Sequence, residues 1–111
     1  MIHKIFLIQS EGLGRGDKQL GSMLMANFLR LLGENEDKPG KMIFWNAGVR
    51  LVCEGSPVLN RVKLLEEQGV ELLACATCLE HFELTDKLAA GKPTNMMKSI
   101  QSMLSSDIVS L

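Results

Sequence analysis

The chain opens on an apolar run and then changes its period. Ile2 to Gln9 is almost unbroken in apolar character, which predicts a strand buried on both faces, and the glycine-rich residues 12–16 end it. From Asp17 the apolar residues recur at three- and four-residue steps. This period predicts an amphipathic helix that Asp17 caps and Gly33 stops. The apolar positions of the helix are Leu20, Met23, Leu24, Phe28, Leu31 and Leu32.

The middle of the chain repeats this alternation. A short apolar run at residues 42–45 predicts a second strand. Ser56 and Pro57 are a typical N-cap and first residue of a helix, and the apolar face that follows them ends before Gly69. Residues 70–74 return to a continuous apolar run. They predict a third strand.

The last third of the chain contains two further helix starts. Thr77 and Glu80 form the T-x-x-E pattern of a capping box, which predicts a helix through Leu84 that resumes, after a break, to Ala90. Thr94 is the expected cap of a last helix, and residues 108–111 are expected to close the sheet as a terminal strand. The residues of the last helix that we expect to face the core are Met97, Ile100, Met103 and Leu104.

These elements define a fold class. Strands that alternate with helices pair in parallel through right-handed crossovers, and the helices then cover both faces of the sheet. A chain of 111 residues has room for one compact domain, which we assign to residues 1–111. The sequence therefore predicts an α/β protein, a three-layer α/β/α sandwich around a mainly parallel sheet. Four of its strands are recognised directly.

Composition narrows the choice of partners and compartment. The formal net charge of -1 argues against nucleic-acid and anionic-membrane partners, because such binding needs a concentrated Lys and Arg surface. The first apolar run is too short for a signal peptide, and no stretch approaches the ~20 apolar residues that span a bilayer. We therefore expect a cytoplasmic protein. Its three cysteines, an odd number, are expected to be reduced thiols there.

Candidate chemistry gathers where the strands end. Ligands of parallel α/β sheets bind beyond the carboxyl ends of the strands, and residues 10–16, 46–55 and 75–78 follow the first three strands. The glycines of residues 12–16 do not form a dinucleotide-binding motif, because Asp17 occupies the place of its third glycine. They predict either a tight loop that binds an anion with its amides and Arg15 or a plain turn. The candidates at this edge are Arg15, Asn46, Arg50, Cys53, Cys75 and Cys78.

Cys78 is the strongest of these candidates. The capping box places it at the first position of a helix, beside unpaired N–H groups and the positive end of the helix dipole, which lowers a thiol pKa and favours the nucleophilic thiolate. Cys75 is either a packing residue or a resolving thiol for Cys78, and Cys53 is expected to be a bystander. His81 is either an exposed residue or a base on the face of Cys78. Together the four could also ligate zinc, although a strand-to-helix junction is unlike a zinc knuckle.

Five short segments add a resemblance, because their order and spacing are specific although each alone is weak. They are Leu13–Asp17, Phe44–Val49, Glu54–Ser56, Thr77–Leu79 and Thr94–Met96. In this arrangement the chain resembles the DsrE/DsrF-like sulfur-relay family over nearly its whole length. It is most similar to the DsrE-like domain of the YedF group of selenium-metabolism sulfurtransferases.

The resemblance implies more than the residues alone do. It implies a five-stranded parallel sheet, assembly into dimers, trimers or hexamers, and a cysteine that carries sulfur as a persulfide, which falls on Cys78. The expected function is therefore a sulfurtransferase-like sulfur relay that needs no dissociable cofactor and no metal. Sulfur donor and acceptor proteins or small thiols are its expected partners, with selenium as an alternative cargo. The residues expected to bind the substrate are Arg15, Asn46, Arg50 and Thr77. The alternative is a non-catalytic oligomeric binding module in which Cys78 only packs.

Overall fold

The sheet of the computed structural model, which describes residues 2–111, has five strands. Their order across the sheet is β4-β3-β2-β1-β5, and all four pairings are parallel. This confirms the predicted fold class. The strands are β1 (Ile2–Ile8), β2 (Pro39–Phe44), β3 (Glu71–Cys75), β4 (Lys92–Thr94) and β5 (Asp107–Ser110).

In the described part of the chain, four α-helices lie between these strands. Because parallel crossovers are right-handed, the three connections that run from β1 to β4 place their helices on one face. The return from β4 to β5, at the far edge, places the last helix on the opposite face. No helix within residues 2–111 is long and apolar enough to cross a membrane. The helices are α1 (Lys18–Glu34), α2 (Leu59–Glu67), α3 (Ala76–His81) and α4 (Met96–Ser105).

The core lies mainly on the face that carries α1 and α2. Phe44 of β2 is fully buried there, together with Met25 and Leu29 of α1 and Val62 and Leu65 of α2. A smaller cluster lies on the α4 face, where Met103 packs against four strand residues. These four are Ile5, Leu7, Ile43 and Leu73. Alternate residues of β1, β2 and β3 thus enter two different clusters, as the pleat requires.

Two predicted helix starts are close to those observed. Asp17 caps α1, and its carboxylate accepts a hydrogen bond from the Leu20 N–H at 2.7 Å. Gly33 does not stop this helix, which continues to Glu34. The Ser56 hydroxyl accepts a hydrogen bond from the Val58 N–H at 3.2 Å, but its helix, α2, begins only at Leu59.

The capping box is wrong. β3 ends at Cys75 and α3 begins at the next residue, with no side chain capping it, so Thr77 lies inside the helix. This helix ends at His81, before the predicted Leu84, because Glu83 adopts a left-handed backbone conformation with φ 58°. A short 3-10 helix over residues 85–87 replaces the rest of the predicted helix.

The last helix differs in its cap as well. Its cap is Asn95, whose side chain accepts a hydrogen bond from the Lys98 N–H at 2.9 Å. The predicted cap, Thr94, belongs instead to β4 and pairs with Cys75. Three residues are too few to show an alternating pattern, so β4 is the strand that sequence periodicity does not reveal.

Of the four α4 residues predicted to face the core, Met103 does so and the other three do not. Met97, Ile100 and Leu104 are 65%, 45% and 84% exposed, whereas Ser99 is buried. The helix meets the sheet through Ser99 and Met103, which leaves its more apolar side in solvent. Part of the α1 stripe is exposed in the same way. These α1 residues are Leu20, Met23, Leu24 and Leu31.

Candidate functional site

Cys78 and Asn46 meet at the carboxyl end of the sheet. Cys78 is the third residue of α3, not the first as predicted, and its side chain is partly buried. The backbone N–H of Asn46, just beyond β2, donates a hydrogen bond to Cys78 Sγ at 3.1 Å. The structure therefore brings together two of the predicted site residues, and the group that contacts the sulfur is a main-chain amide.

The backbone of Asn46 has an uncommon conformation. Its φ of 51° lies in the left-handed region, which asparagine tolerates better than most residues. Its side-chain oxygen accepts a hydrogen bond from the N–H of Ala47 at 2.8 Å. A 3-10 helix, Asn46–Val52, begins at this residue. The turn that carries the chain out of β2 thus also presents an N–H to the sulfur.

Cys75 lies three residues before Cys78 in the chain. It ends β3, is 6% exposed, and interacts with the Cys78 side chain by a hydrogen bond. Burial raises the pKa of the Cys78 thiol, and the hydrogen bond with Cys75 raises it further, whereas the Asn46 N–H lowers it. The net direction is upward, so the predicted depression of this pKa is wrong. The resting form of Cys78 at neutral pH is the protonated thiol.

Arg50 belongs to a different part of the edge. Its guanidinium lies over the ring of Phe82, 4.6 Å from the centroid. Its positive charge acts on Cys53, where it opposes the burial that raises the pKa of that thiol. The Cys53 thiol is 1% exposed and donates a hydrogen bond to the Val49 carbonyl at 3.2 Å. The structure therefore groups Arg50 with Cys53.

The remaining candidates lie around the thiol pair. Arg15 lines a cavity of about 470 Å³ together with the glycine loop, and this cavity reaches Ala47, next to Asn46. Thr77 is exposed on α3. His81 is also exposed and contacts the ring of Phe82 edge-on, with the centroids 5.1 Å apart. Residues 2–111 bring together no group of three or more His, Cys, Asp or Glu side chains able to hold a metal ion.

Sequence reasoning missed two aromatic residues at this edge. Phe82 is the platform for both Arg50 and His81. The indole Nε1 of Trp45 is buried and has no hydrogen-bond partner among the described residues. Phe82 is four residues after Cys78 in the sequence, but its contact with Arg50 depends on how residues 46–52 fold, far away in the chain.

Comparison with known proteins places the fold in a defined class. No family model matches the chain, and no curated protein matches its sequence. Solved structures do match over nearly the whole chain, and the one with a TM-score of 0.76 has a DsrE-like fold. The chain therefore has a DsrE-like fold.

One such structure is the ychN protein from E. coli, with a TM-score of 0.76, 18% identity and full coverage of both chains. A second is the protein of unknown function MTH1491 from Methanobacterium thermoautotrophicum, with a TM-score of 0.72, 18% identity and full coverage of both chains. A third is the conserved protein of unknown function BT1422 from Bacteroides thetaiotaomicron, with a TM-score of 0.69 and 18% identity over 98% of this chain and 95% of that one. At this identity the likeness concerns the fold alone.

Proposed function

We propose that this protein carries sulfane sulfur as a persulfide on Cys78. The observation that carries the proposal is the contact at the carboxyl end of the sheet, where the Asn46 N–H donates to Cys78 Sγ at 3.1 Å. A hydrogen bond to the charged form of a sulfur favours that form. The site thus combines an accessible sulfur with a fixed donor, although burial keeps the sulfur protonated at rest.

The proposed transfer has two steps. In the first, the Cys78 thiolate attacks the outer sulfur of a donor persulfide, so that Cys78–SH and R–S–SH become Cys78–S–SH and R–SH, and the proton of Cys78 leaves with the donor thiol. In the second, an acceptor thiolate attacks the outer sulfur, and the S–S bond to Cys78 breaks. No net oxidation occurs, and no dissociable cofactor is required.

Cys75 has a helper role in this proposal. It interacts directly with Cys78 and is itself buried, so it is shielded from external donors. Its thiol can attack the inner sulfur of the persulfide, which gives a Cys75–Cys78 disulfide and releases H₂S. A reducing cytoplasm would return both thiols to their starting state.

Arg15, Arg50 and Thr77 remain proposed contacts for the substrate. Arg15 is the best placed, because its cavity reaches the residue next to Asn46. Its positive charge suits a donor that carries a carboxylate or sulfonate. Selenium in place of sulfur is the finer proposal that the resemblance to the YedF group adds.

Intact-mass measurement after exposure to a sulfane-sulfur donor tests the proposal. The native chain should gain the mass of one sulfur atom, which reducing agent removes. Cys78→Ser should abolish the gain, whereas Cys53→Ser, the matched control at the same edge, should keep it. Cys75→Ser should keep the adduct and slow the release of H₂S. An adduct that survives Cys78→Ser would overturn the assignment.

Self-assembly is the second part of the proposal. Both α1 and α4 expose several large apolar side chains, among them Leu24 and Leu104, and contiguous apolar patches mark interaction surfaces. Light scattering coupled to gel filtration should give a mass above that of one chain. Leu104→Lys should lower that mass, and Lys63→Glu on the polar side of α2 should not. A monomeric native chain would contradict assembly.

These surfaces also favour one rival function, a non-catalytic oligomeric binding module of the same fold. The raised pKa of Cys78 agrees with that rival, since a packing cysteine stays protonated. The mass experiment separates the two. An assembled protein with no sulfur adduct supports the binding module.

A further inference from the structure

A second cavity lies at the same edge of the sheet, away from the thiol pair. Its volume is about 260 Å³, far more than the ~10–15 Å³ that one water needs. Residues from the loop after β1, from α1 and from the segment after the first 3-10 helix surround it. The Cys78 chemistry uses none of its lining residues except Arg50. Its occupant must therefore be inferred from its own walls.

The cavity has an apolar base and a charged mouth. Met25, Cys53 and Val58 form the base, and each is at most 5% exposed. Glu11 and Glu54 lie at the mouth together with Arg50, and all three are exposed. Apolar walls with a few placed polar groups are typical of small-molecule sites.

The charges at the mouth lack partners of their own. Within residues 2–111, neither Glu11, Glu54 nor Arg50 has an oppositely charged side chain within 4.0 Å. The Arg50 guanidinium lies over the face of Phe82 and also acts on Cys53 through its charge. Two carboxylates and one guanidinium thus lie around one opening, with hydrogen-bonding capacity left for a ligand.

The wall that carries Glu54 is rigid. The Ser56 N–H donates to the Cys53 carbonyl at 3.1 Å, and Gly55 has φ 89°, which only glycine adopts without strain. The Glu54 N–H donates to the Lys87 carbonyl at 2.8 Å, and Cys53 pairs with Leu88 in an isolated bridge. The backbone that carries Glu54 is therefore held in place before any ligand arrives, which lowers the entropy cost of binding.

We propose that this cavity binds a small α-amino acid with an apolar side chain. The carboxylate of the ligand meets Arg50, its ammonium meets Glu54 and Glu11, and its side chain enters the base formed by Met25, Cys53 and Val58. A simple amine would leave Arg50 unmatched. A simple carboxylate would face two like charges. Only a zwitterion satisfies both signs at one opening.

Calorimetric titration of the Cys78→Ser chain with L-leucine tests this inference. This background removes sulfur transfer, so the outcome is independent of the proposed function, and either proposal can fail without the other. L-leucine should bind with a stoichiometry of one per chain. Isopentylamine and 4-methylpentanoate, which keep the side chain and lack one charge each, should bind about tenfold more weakly or worse.

Variants of the mouth locate the site. Arg50→Gln and Glu54→Gln should each weaken L-leucine binding about tenfold, because each removes one charge-assisted hydrogen bond. Glu67→Gln on α2, far from the cavity, is the control and should leave the affinity unchanged. Absence of saturable L-leucine binding at millimolar concentration would overturn the proposal. Equal binding of the amine or of the carboxylate would overturn it too, as would L-leucine binding that both mouth variants leave intact.

Discussion

Cys78 and Cys53 lie at the same edge of the sheet and differ in the hydrogen bonds that their sulfur atoms make. Burial raises the pKa of both thiols. Cys53 is 1% exposed and its thiol donates to the Val49 carbonyl, whereas Cys78 is partly exposed and its sulfur accepts from the Asn46 N–H. The hydrogen bond of Cys53 thus needs the thiol proton, whereas Cys78, besides its hydrogen bond with Cys75, accepts one that its thiolate would strengthen.

This difference separates a structural thiol from a reactive one better than burial does. A hydrogen bond donated by a thiol stabilises the neutral form, and a bond accepted by the sulfur stabilises the anion. Both cysteines experience desolvation of the same sign, so the direction of the hydrogen bond and the access to solvent carry the distinction. Reagents and variants that act on one of these two factors should therefore separate the two residues.

Native-state alkylation should show the largest separation. Cys78 should react with a small maleimide on the order of a hundredfold faster than Cys53, because Cys53 becomes accessible only through local opening. Peptide mapping by mass spectrometry at successive times measures both rates in one sample. In denaturant the two rates should converge. Comparable rates in the native protein would refute the distinction.

Replacement of each cysteine by serine should separate them in stability. Cys53→Ser buries a more polar hydroxyl among apolar neighbours and should lower the free energy of unfolding by about 2 kcal/mol. Cys78→Ser, at a partly exposed position, should lower it by less than about 0.5 kcal/mol. Urea unfolding under reducing conditions measures both. Equal losses would mean that Cys78 packs as tightly as Cys53.

Much of the fold followed from periodicity. The strand runs at residues 2–9, 42–45 and 70–74 and the Asp17 cap all have counterparts in the structure, because long periodic segments carry a strong signal. β4 has three residues and no period, so it could not be recognised. The exposed side of α4 was misassigned because apolar spacing shows that a helix has a face, and does not show which surface that face meets.

Which residues meet at the site was easier to predict from the sequence than the pKa of Cys78. Cys78, Cys75 and Asn46 were candidates because the carboxyl ends of parallel strands meet at one edge, and the structure brings them together. The predicted lowering of the Cys78 pKa was wrong because it required a capping box at the start of the helix, and α3 begins at Ala76 without one. Desolvation and the neighbouring Cys75 depend on tertiary packing, which a linear motif does not contain.

The pH dependence of Cys78 alkylation tests whether the pKa of this thiol is raised. Because burial and Cys75 disfavour the thiolate, its fraction at neutral pH is below that of an ordinary cysteine, and the rate should rise about tenfold per pH unit up to alkaline pH. Cys75→Ala removes one of the raising interactions. It should therefore shift the pH profile toward lower pH and speed the reaction at neutral pH. An unshifted profile in Cys75→Ala would show that Cys75 does not contribute to raising this pKa.

The smallest effect concerns the backbone that supplies the N–H to Cys78. Asn46→Gly keeps the N–H and the left-handed conformation, so it should retain both stability and the pH profile of alkylation. Asn46→Ala should be about 1 kcal/mol less stable than Asn46→Gly, since a Cβ without a polar side chain disfavours positive φ. If the alanine chain instead relaxes to negative φ, the N–H turns away from the sulfur and the Cys78 pKa rises further.

Glu83 provides the matched control for that substitution, because within residues 2–111 it is the other non-glycine residue with positive φ, at 58°. Glu83→Gly should relieve similar strain and raise stability by up to about 1 kcal/mol, without moving the pH profile of Cys78. A change in reactivity confined to the Asn46 variants would tie the sulfur to this amide. Equal stability of Asn46→Gly and Asn46→Ala, with identical pH profiles, would instead mean that the turn does not depend on the left-handed conformation. The proposal that the Asn46 N–H controls the reactivity of the Cys78 sulfur would then be wrong.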